Sequence, residues 1–311
     1  MIILPDQEVK KYKDRVVLID ADCVAYYGAA GCDALPLPSA YRRVDLRINQ
    51  ILDDCGTDNY ECHLTGQNNF RDKVATLKRY KGDRYDKEGK RTKVQPSWLQ
   101  ECRKYLVDKY NATTAYYQEA DDTLSTRAVV LKSLYDRVYI SSIDKDLMIN
   151  YCWHHNMTSG TIVEVVPPGT LELTEKGKVK GTGELFFYAQ MLMGDTADCI
   201  QGLPKVTPWM KEVLGVPRLG GCGPKAAWYI LGTVESAEAA EQLVWECYRD
   251  YWKKNHYYSW DGMEHFDAGI DTARKQFIEQ GRLLWMRTKD GEMWKPKYIE
   301  LKDKEDESSE T

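Results

Sequence analysis

No run of apolar residues in the sequence approaches the length needed to cross a membrane, and Met1-Ile2-Ile3-Leu4-Pro5 is too short for the core of a signal peptide. The nine cysteines include no C-x-x-C pair and keep no regular spacing, which excludes the usual zinc ribbon and a disulfide framework. An odd number of scattered thiols fits a reducing compartment, so a soluble, cytoplasmic protein is expected. A surplus of positive charge is also missing. The formal net charge is -5, which on the sum alone counts against a nucleic-acid partner.

The distribution of charge reverses that conclusion locally. Between Arg71 and Lys93 ten basic residues stand against four acidic ones, an excess of six in a chain that is acidic elsewhere. Such a run is either a solvated surface loop or a phosphate-binding segment. Gly82 and Gly89 interrupt it, so part of it is expected to be irregular, with a helical pattern resuming at Trp98-Leu99.

The acids are placed as regularly as the bases. Arg15 to Asp20 reads as a buried strand ending in a carboxylate, and Arg137 to Ser142 as another, followed by Asp144 and Asp146. Ala112 to Tyr117 reads as a third, running into Gln118-Glu119-Ala120-Asp121-Asp122 and then a helix with Leu124, Ala128, Leu131 and Tyr135 on one face. One acid at a helix start is an ordinary cap. Three within four residues repel one another unless a cation lies between them, and a divalent ion with oxygen ligands is the usual solution. Parallel strands lying side by side would gather these acids at one edge, where open α/β sheets hold ligands. A fourth acidic place, Gly194-Asp195-Thr196-Ala197-Asp198, follows the apolar helix Phe186 to Met193.

Two other features are less specific. His154 and His155 lie in a hairpin spanning Tyr151 to Val166 and, being adjacent on a strand, point to opposite faces; they read as structural. Leu219-Gly220-Gly221-Cys222-Gly223-Pro224-Lys225-Ala226-Ala227 is a glycine-rich helix start, a tight turn or a site for a phosphate oxygen. Trp245, Tyr248, Tyr251 and Trp252 read as core, and Leu301 to Thr311 as an acidic tail.

Together these residues resemble the bacteriophage 5′-to-3′ exonucleases of the flap endonuclease superfamily, related to the 5′-nuclease domains of bacterial DNA polymerases. The resemblance runs from Val16 to about Trp294. Val17-Leu18-Ile19-Asp20 is similar to the first metal-binding strand, and Tyr80-Lys81-Gly82-Asp83-Arg84 to the Tyr-Lys-x-x-Arg arch motif. Glu119-Ala120-Asp121-Asp122 resembles the Glu-Ala-Asp-Asp signature, and Ser142-Ile143-Asp144-Lys145-Asp146 the Ser-x-Asp-x-Asp signature. Gly194-Asp195-Thr196-Ala197-Asp198 with Gly202 is similar to the Gly-Asp-x-x-Asp-Asn-x-x-Gly element, with Cys199 where Asn is usual. Gly221-Cys222-Gly223-Pro224-Lys225-Ala226-Ala227 resembles the Gly-x-Gly-x-Lys-x-Ala hairpin. Two departures stand out: Gly66 where the second strand commonly ends in Asp, and a longer stretch between Pro204 and Gly220.

The resemblance implies an α/β fold, a central, mostly parallel, PIN-like sheet flanked by helices, with a helical arch insertion and a helix-hairpin-helix DNA-binding element. It implies a nuclease core over 14–200 including a basic arch at 71–105, a helix-hairpin-helix and helical region over 201–300, and the tail at 301–311. Asp20, Glu119, Asp121, Asp122, Asp144, Asp146, Asp195 and Asp198 are the implied ligands of two Mg2+ ions, which Mn2+ could replace, with K+ a further candidate at the hairpin. Lys81, Arg84 and Asp144 are the implied catalytic residues, and Arg71, Lys78, Arg79, Gly221, Gly223 and Lys225 the implied DNA contacts. The expected activity is 5′-to-3′ hydrolysis of duplex, nicked or flapped DNA and of RNA in hybrids, by a monomer in a host cytoplasm. Two alternatives compete: a haloacid-dehalogenase-type phosphohydrolase, because Asp20-Ala21-Asp22 resembles its Asp-x-Asp strand end, and a weakened branched-DNA-binding protein, motivated by Gly66.

Overall fold

Arg15–Asp20 forms β1, and its alternation organises the first half of the chain in a computed structural model that describes residues 11–254 and 266–301. Met1 to Pro5 and the acidic tail beyond Leu301 lie outside those residues. In chain order β1 is followed by α1 (Ala21–Ala29), α2 (Leu37–Cys55), β2 (Tyr60–Thr65), α3 (Arg71–Val74), α4 (Leu99–Tyr110), β3 (Thr113–Ala115), α5 (Ala120–Leu131), β4 (Arg137–Ser141), β5 (Trp153–His155) and β6 (Ile162–Glu164). Then come β7 (Thr170–Leu173), β8 (Val179–Thr182), α6 (Gly183–Met193), α7 (Pro208–Val213), α8 (Pro224–Leu231), α9 (Ala237–Lys254) and α10 (Phe266–Leu284).

The chain packs as two units. The first is Met1–Phe70 with Arg91–Val166 and Met286–Glu292; the second is Arg71–Lys90 with Pro167–Trp285 and Met293–Thr311. The second unit thus begins at Pro167, ahead of α6, and the basic run up to Lys90 packs with it. The reason is α6, whose residues from Gly183 to Leu192 are all buried: a helix apolar on every side must be enclosed by its neighbours. Phe187 stacks edge-on against Trp285, with ring centroids 4.9 Å apart, and Tyr188 donates to Glu241 at 2.7 Å. Glu241, fully buried, also accepts the backbone N–H groups of Lys297, Tyr298 and Ile299.

In the first unit six strands lie in the order β3-β2-β1-β4-β5-β6, parallel except for β6, which pairs antiparallel with β5. This is the expected mostly parallel α/β sheet. Side chains along β1 alternate between two apolar layers, as strand geometry requires. Val17 and Ile19 pack with Val24, Val44, Ile48 and Leu106 from α1, α2 and α4, while Val16 and Leu18 pack with Leu124, Ala128 and Leu131 of α5. Each such buried side chain contributes about 1.5–3 kcal/mol. α1 approaches α2 so closely at Gly28 that a Cβ there would lie 2.5 Å from Val44 Cγ2.

The basic run is irregular at its glycines, as expected, with a helix resuming at Leu99. Between Arg71 and Trp98 the regular structure is the four-residue α3 and a 3₁₀ turn at Gly82–Arg84, and the next helix begins at Leu99. Lys81, just before the turn, has φ +52°, and Gly89 has φ +80°, both incompatible with a continuing right-handed helix. The long passage after Pro204 is closed by an antiparallel bridge of Val206 to Gly220 and contains α7, capped by Thr207.

Candidate active site

The parallel register sets the C-terminal ends of β1, β2, β3 and β4 along one edge of the first unit's sheet, since Ile19 pairs with Ser141, Asp20 with His63, and Thr65 with Ala115. Asp20 is buried and caps α1, with Oδ1 accepting from the Cys23 N–H at 3.1 Å. Its Oδ2 accepts from Ser142 Oγ at 2.7 Å, and the same Oγ accepts from the Asp144 N–H at 3.0 Å. The Asp144 side chain in turn caps a 3₁₀ turn by accepting from the Asp146 N–H at 2.9 Å. One hydrogen-bonded chain thus joins the acid at the end of β1 to the pair after β4.

Glu119 and Asp122 form a reciprocal capping box at the start of α5. Asp122 is fully buried, and both its oxygens are engaged by main-chain N–H groups: Glu119 at 3.2 Å and Arg287 at 3.2 Å. Its position makes it a brace for α5 and the 286–292 segment. Arg287 also donates to Gln118 at 2.9 Å, and its guanidinium lies 3.8 Å from the Phe70 ring centroid. Asp121 sits in the first turn of α5, half-buried.

In kind, these donors fit a hard divalent cation, because every one is a carboxylate oxygen. Cys23, beside Asp20, is held as a thiol: burial first, and the neighbouring carboxylate second, push it far above its ordinary range. That removes a soft thiolate from the edge. The side chains are not closed around a point, however. Among the described residues no three His, Cys, Asp or Glu side chains are arranged to hold an ion.

Gly66 follows β2 on the same edge and has no room for a side chain. Its N–H donates to Ala115 O at 2.7 Å, and a Cβ would lie 2.3 Å from that oxygen and 2.9 Å from Thr114 Cγ2. Gly66→Asp is therefore expected to displace β3 and cost about 1–3 kcal/mol without adding a ligand; a chemical-denaturation midpoint that does not fall would contradict this.

In the second unit the Tyr80-Lys81-Gly82-Asp83-Arg84 segment converges on Asp198. Its carboxylate accepts from Tyr80 Oη at 2.8 Å and Arg84 Nη2 at 3.0 Å, with Lys81 Nζ 3.5 Å away. The Lys81 N–H donates to Asp198 O at 2.9 Å, and the Asp83 N–H to Cys199 Sγ at 3.4 Å. Asp195 is buried, and its Oδ1 accepts from the Ala197 N–H at 2.7 Å, turning the loop. Asp198, expected as a ligand, thus orders Lys81 and Arg84.

The expected DNA contacts divide. Lys78 and Arg79 are exposed, whereas Arg71 is wholly buried, its guanidinium donating to the carbonyls of Leu283 and Trp285 at 2.9 Å each. Arg71 is corrected to a structural residue, since a buried guanidinium spent on carbonyls cannot reach a phosphate. Arg71→Met leaves those carbonyls without their donor and is expected to cost about 2–4 kcal/mol; thermal unfolding will report it. Gly221, Gly223 and Lys225 line a concavity of about 650 Å³ that also takes in Arg218 and Tyr229, with Gly223 capping α8 and Lys225 exposed. His154 and His155 are spent internally, His154 on Asn150 O at 2.8 Å and His155 on Ser141 Oγ at 2.9 Å and Asp54 at 3.0 Å.

Sequence reasoning missed Arg103. From α4 it pairs with Asp22 and also donates to Thr65 O, while the Thr65 N–H donates to Asp22 Oδ2 at 2.7 Å. An arginine inside an ordinary amphipathic helix carries no signal of such a tie; Asp22 two residues after Asp20 carries a weak one.

This architecture is that of the bacteriophage 5′-exonuclease fold. The chain superimposes on zinc-bound T5 5′-exonuclease with a TM-score of 0.54 at 18% identity, over 87% of this chain and 89% of that one. A metal-bound crystal form of the T5 protein, and a T5 flap endonuclease pseudo-enzyme-product complex with DNA and metal ions, each match with a TM-score of 0.46 at 17% identity, over 86% of this chain and 99% of theirs. No protein-family model and no curated protein matches the sequence.

Proposed function

We propose that the protein is a divalent-metal-dependent 5′-nuclease, cutting phosphodiesters at the 5′ ends or flaps of duplex DNA. The observation that supports this most is the Asp20-Ser142-Asp144 chain at the sheet edge of a fold shared with T5 5′-exonuclease. Asp20, Glu119, Asp121, Asp144 and Asp146 are the proposed holders of Mg2+, with Mn2+ as a substitute. Bound there, a divalent cation supplies charge neutralisation and a water of lowered pKa.

The remaining work falls to the chain itself. Ser142 keeps Asp20 and Asp144 turned to a common edge, and Asp122 fixes the α5 start that presents Glu119 and Asp121. Asp198 holds Lys81 and Arg84 as a paired set of donors matched to phosphate oxygens. Lys225 offers its charge to a sugar-phosphate backbone, and the Gly221–Gly223 turn, closed by the Gly223 N–H on Gly221 O at 3.0 Å, leaves room for that backbone to approach α8, positioning it without reading bases.

The phosphohydrolase alternative, which takes Asp22 as its second acid, leaves Glu119, Asp121 and Asp122, the basic run and the glycine-rich start of α8 without a role. Incubation with 5′-labelled nicked, flapped and RNA–DNA hybrid substrates in Mg2+ tests the proposal. Release of short 5′ products is expected; turnover of small phosphate esters alone, or binding without cleavage, would overturn it.

A further inference from the structure

Four neighbouring strands, β3, β2, β1 and β4, end along the edge where the acids gather. β1 ends in Asp20, β3 leads to Glu119, and β4 to Asp144. β2, between β3 and β1, ends in Thr65 and Gly66, and the Ala115 carbonyl closes position 66 to any side chain. The gap is nonetheless filled by a carboxylate. Asp22, in the first turn of α1, reaches over the end of β2, where its Oδ2 takes the Thr65 N–H at 2.7 Å and Oδ1 takes Arg103. Thr65 Oγ1 accepts from the Ala120 N–H at 3.0 Å, so the residue that anchors Asp22 also anchors the helix start presenting Glu119.

We propose that Asp22 is a positioning residue of the cation-holding edge, supplying at the end of β2 the carboxylate that position 66 has no room for, with the Thr65 N–H holding it there and Arg103 as the counter-charge that competes with a cation. The inference rests on the metal-dependent reading above. Two donors leave a carboxylate with lone pairs to spare, enough to order a water of a bound cation's shell. Arg103 sets the strength of the effect, because its positive charge opposes a cation at the same edge.

Mn2+ binding to the full chain without DNA, followed by electron paramagnetic resonance, tests this. Asp22→Asn keeps the shape and is expected to weaken Mn2+ binding by about tenfold or more. Arg103→Met leaves Asp22 on the Thr65 N–H and is expected to tighten binding by about threefold or more, a gain lost in the double variant. A brace with no part in cation binding would lower the melting temperature in both variants and leave Mn2+ affinity unchanged; that result overturns the proposal. If Asp22→Asn does not fold, an unchanged affinity in Arg103→Met overturns it alone. Asp20→Asn separates the two levels: Mn2+ binding indifferent to Asp20 removes the metal site itself, whereas binding lost with Asp20 but unmoved by Asp22 or Arg103 removes only this inference.

Discussion

Asp144→Ala is expected to abolish Mg2+-dependent release of 5′ products, lowering single-turnover cleavage by on the order of 10³ or more, while the protein stays folded and binds DNA. The two halves of that expectation come from different features of one residue. Asp144 is exposed, and it caps a 3₁₀ turn through the Asp146 N–H. Loss of such a cap costs about 1 kcal/mol, too little to unfold a domain. Loss of a carboxylate from the edge proposed to hold the cation removes charge stabilisation in the transition state, where a single preorganised group is worth about 10²–10³ in rate and a metal ligand more. Asp122→Ala makes the contrast. That side chain is fully buried with both oxygens on main-chain N–H groups, so its removal acts first on stability. A melting curve taken beside the cleavage assay distinguishes the two: Asp144→Ala should move the rate and Asp122→Ala the midpoint. Cleavage by Asp144→Ala at the wild-type rate would take Asp144 out of the site.

The strand ends were readable in the sequence because each obeys a local rule. A β-branched run followed by an acid and then a helix-period pattern is written in consecutive residues at Asp20 and Glu119, and the sheet order needs only that the strands be parallel. What could not be read depends on residues far apart. Arg71 opens a basic run and looks like surface, but its guanidinium is consumed by Leu283 and Trp285, more than two hundred positions away. Asp122 sits in a signature of acids, yet its partner at Arg287 is contributed by a segment from the other end of the chain. Asp198 belongs to an acidic motif, and which charge it answers is decided by the turn at Lys81 rather than by its own neighbours. The irregularity of the basic run has a local cause that the sequence did contain. Gly82 and Gly89 mark the break, and the backbone takes left-handed conformations at Lys81 and Gly89.

Lys81→Ala is expected to slow the chemical step by about 10²-fold while weakening DNA binding only a few-fold. Leaving out the buried Arg71, nine basic residues share the run from Lys73 to Lys93, so one ammonium is a small part of the electrostatic attraction, and the salt dependence of binding should fall by about one counterion. Rate is another matter because, whereas Lys78 is exposed and Arg79 is exposed against the Tyr85 ring, Lys81 is held to Asp198. Its N–H is fixed on Asp198 O, its Nζ lies 3.5 Å from the Asp198 carboxylate and 4.9 Å from the Tyr80 ring centroid, and its side chain is 18% exposed. Donors fixed in advance need not reorganise when charge develops on a phosphate, which is where a large rate effect from a single residue arises. Arg84 shares the same carboxylate and remains in place in Lys81→Ala, so the residual rate should be lost on adding Arg84→Ala, with the two effects less than additive because both act through Asp198. Single-turnover kinetics at saturating enzyme separates the step from binding; a variant whose affinity collapses while its saturated rate is kept would place Lys81 among the general phosphate contacts instead.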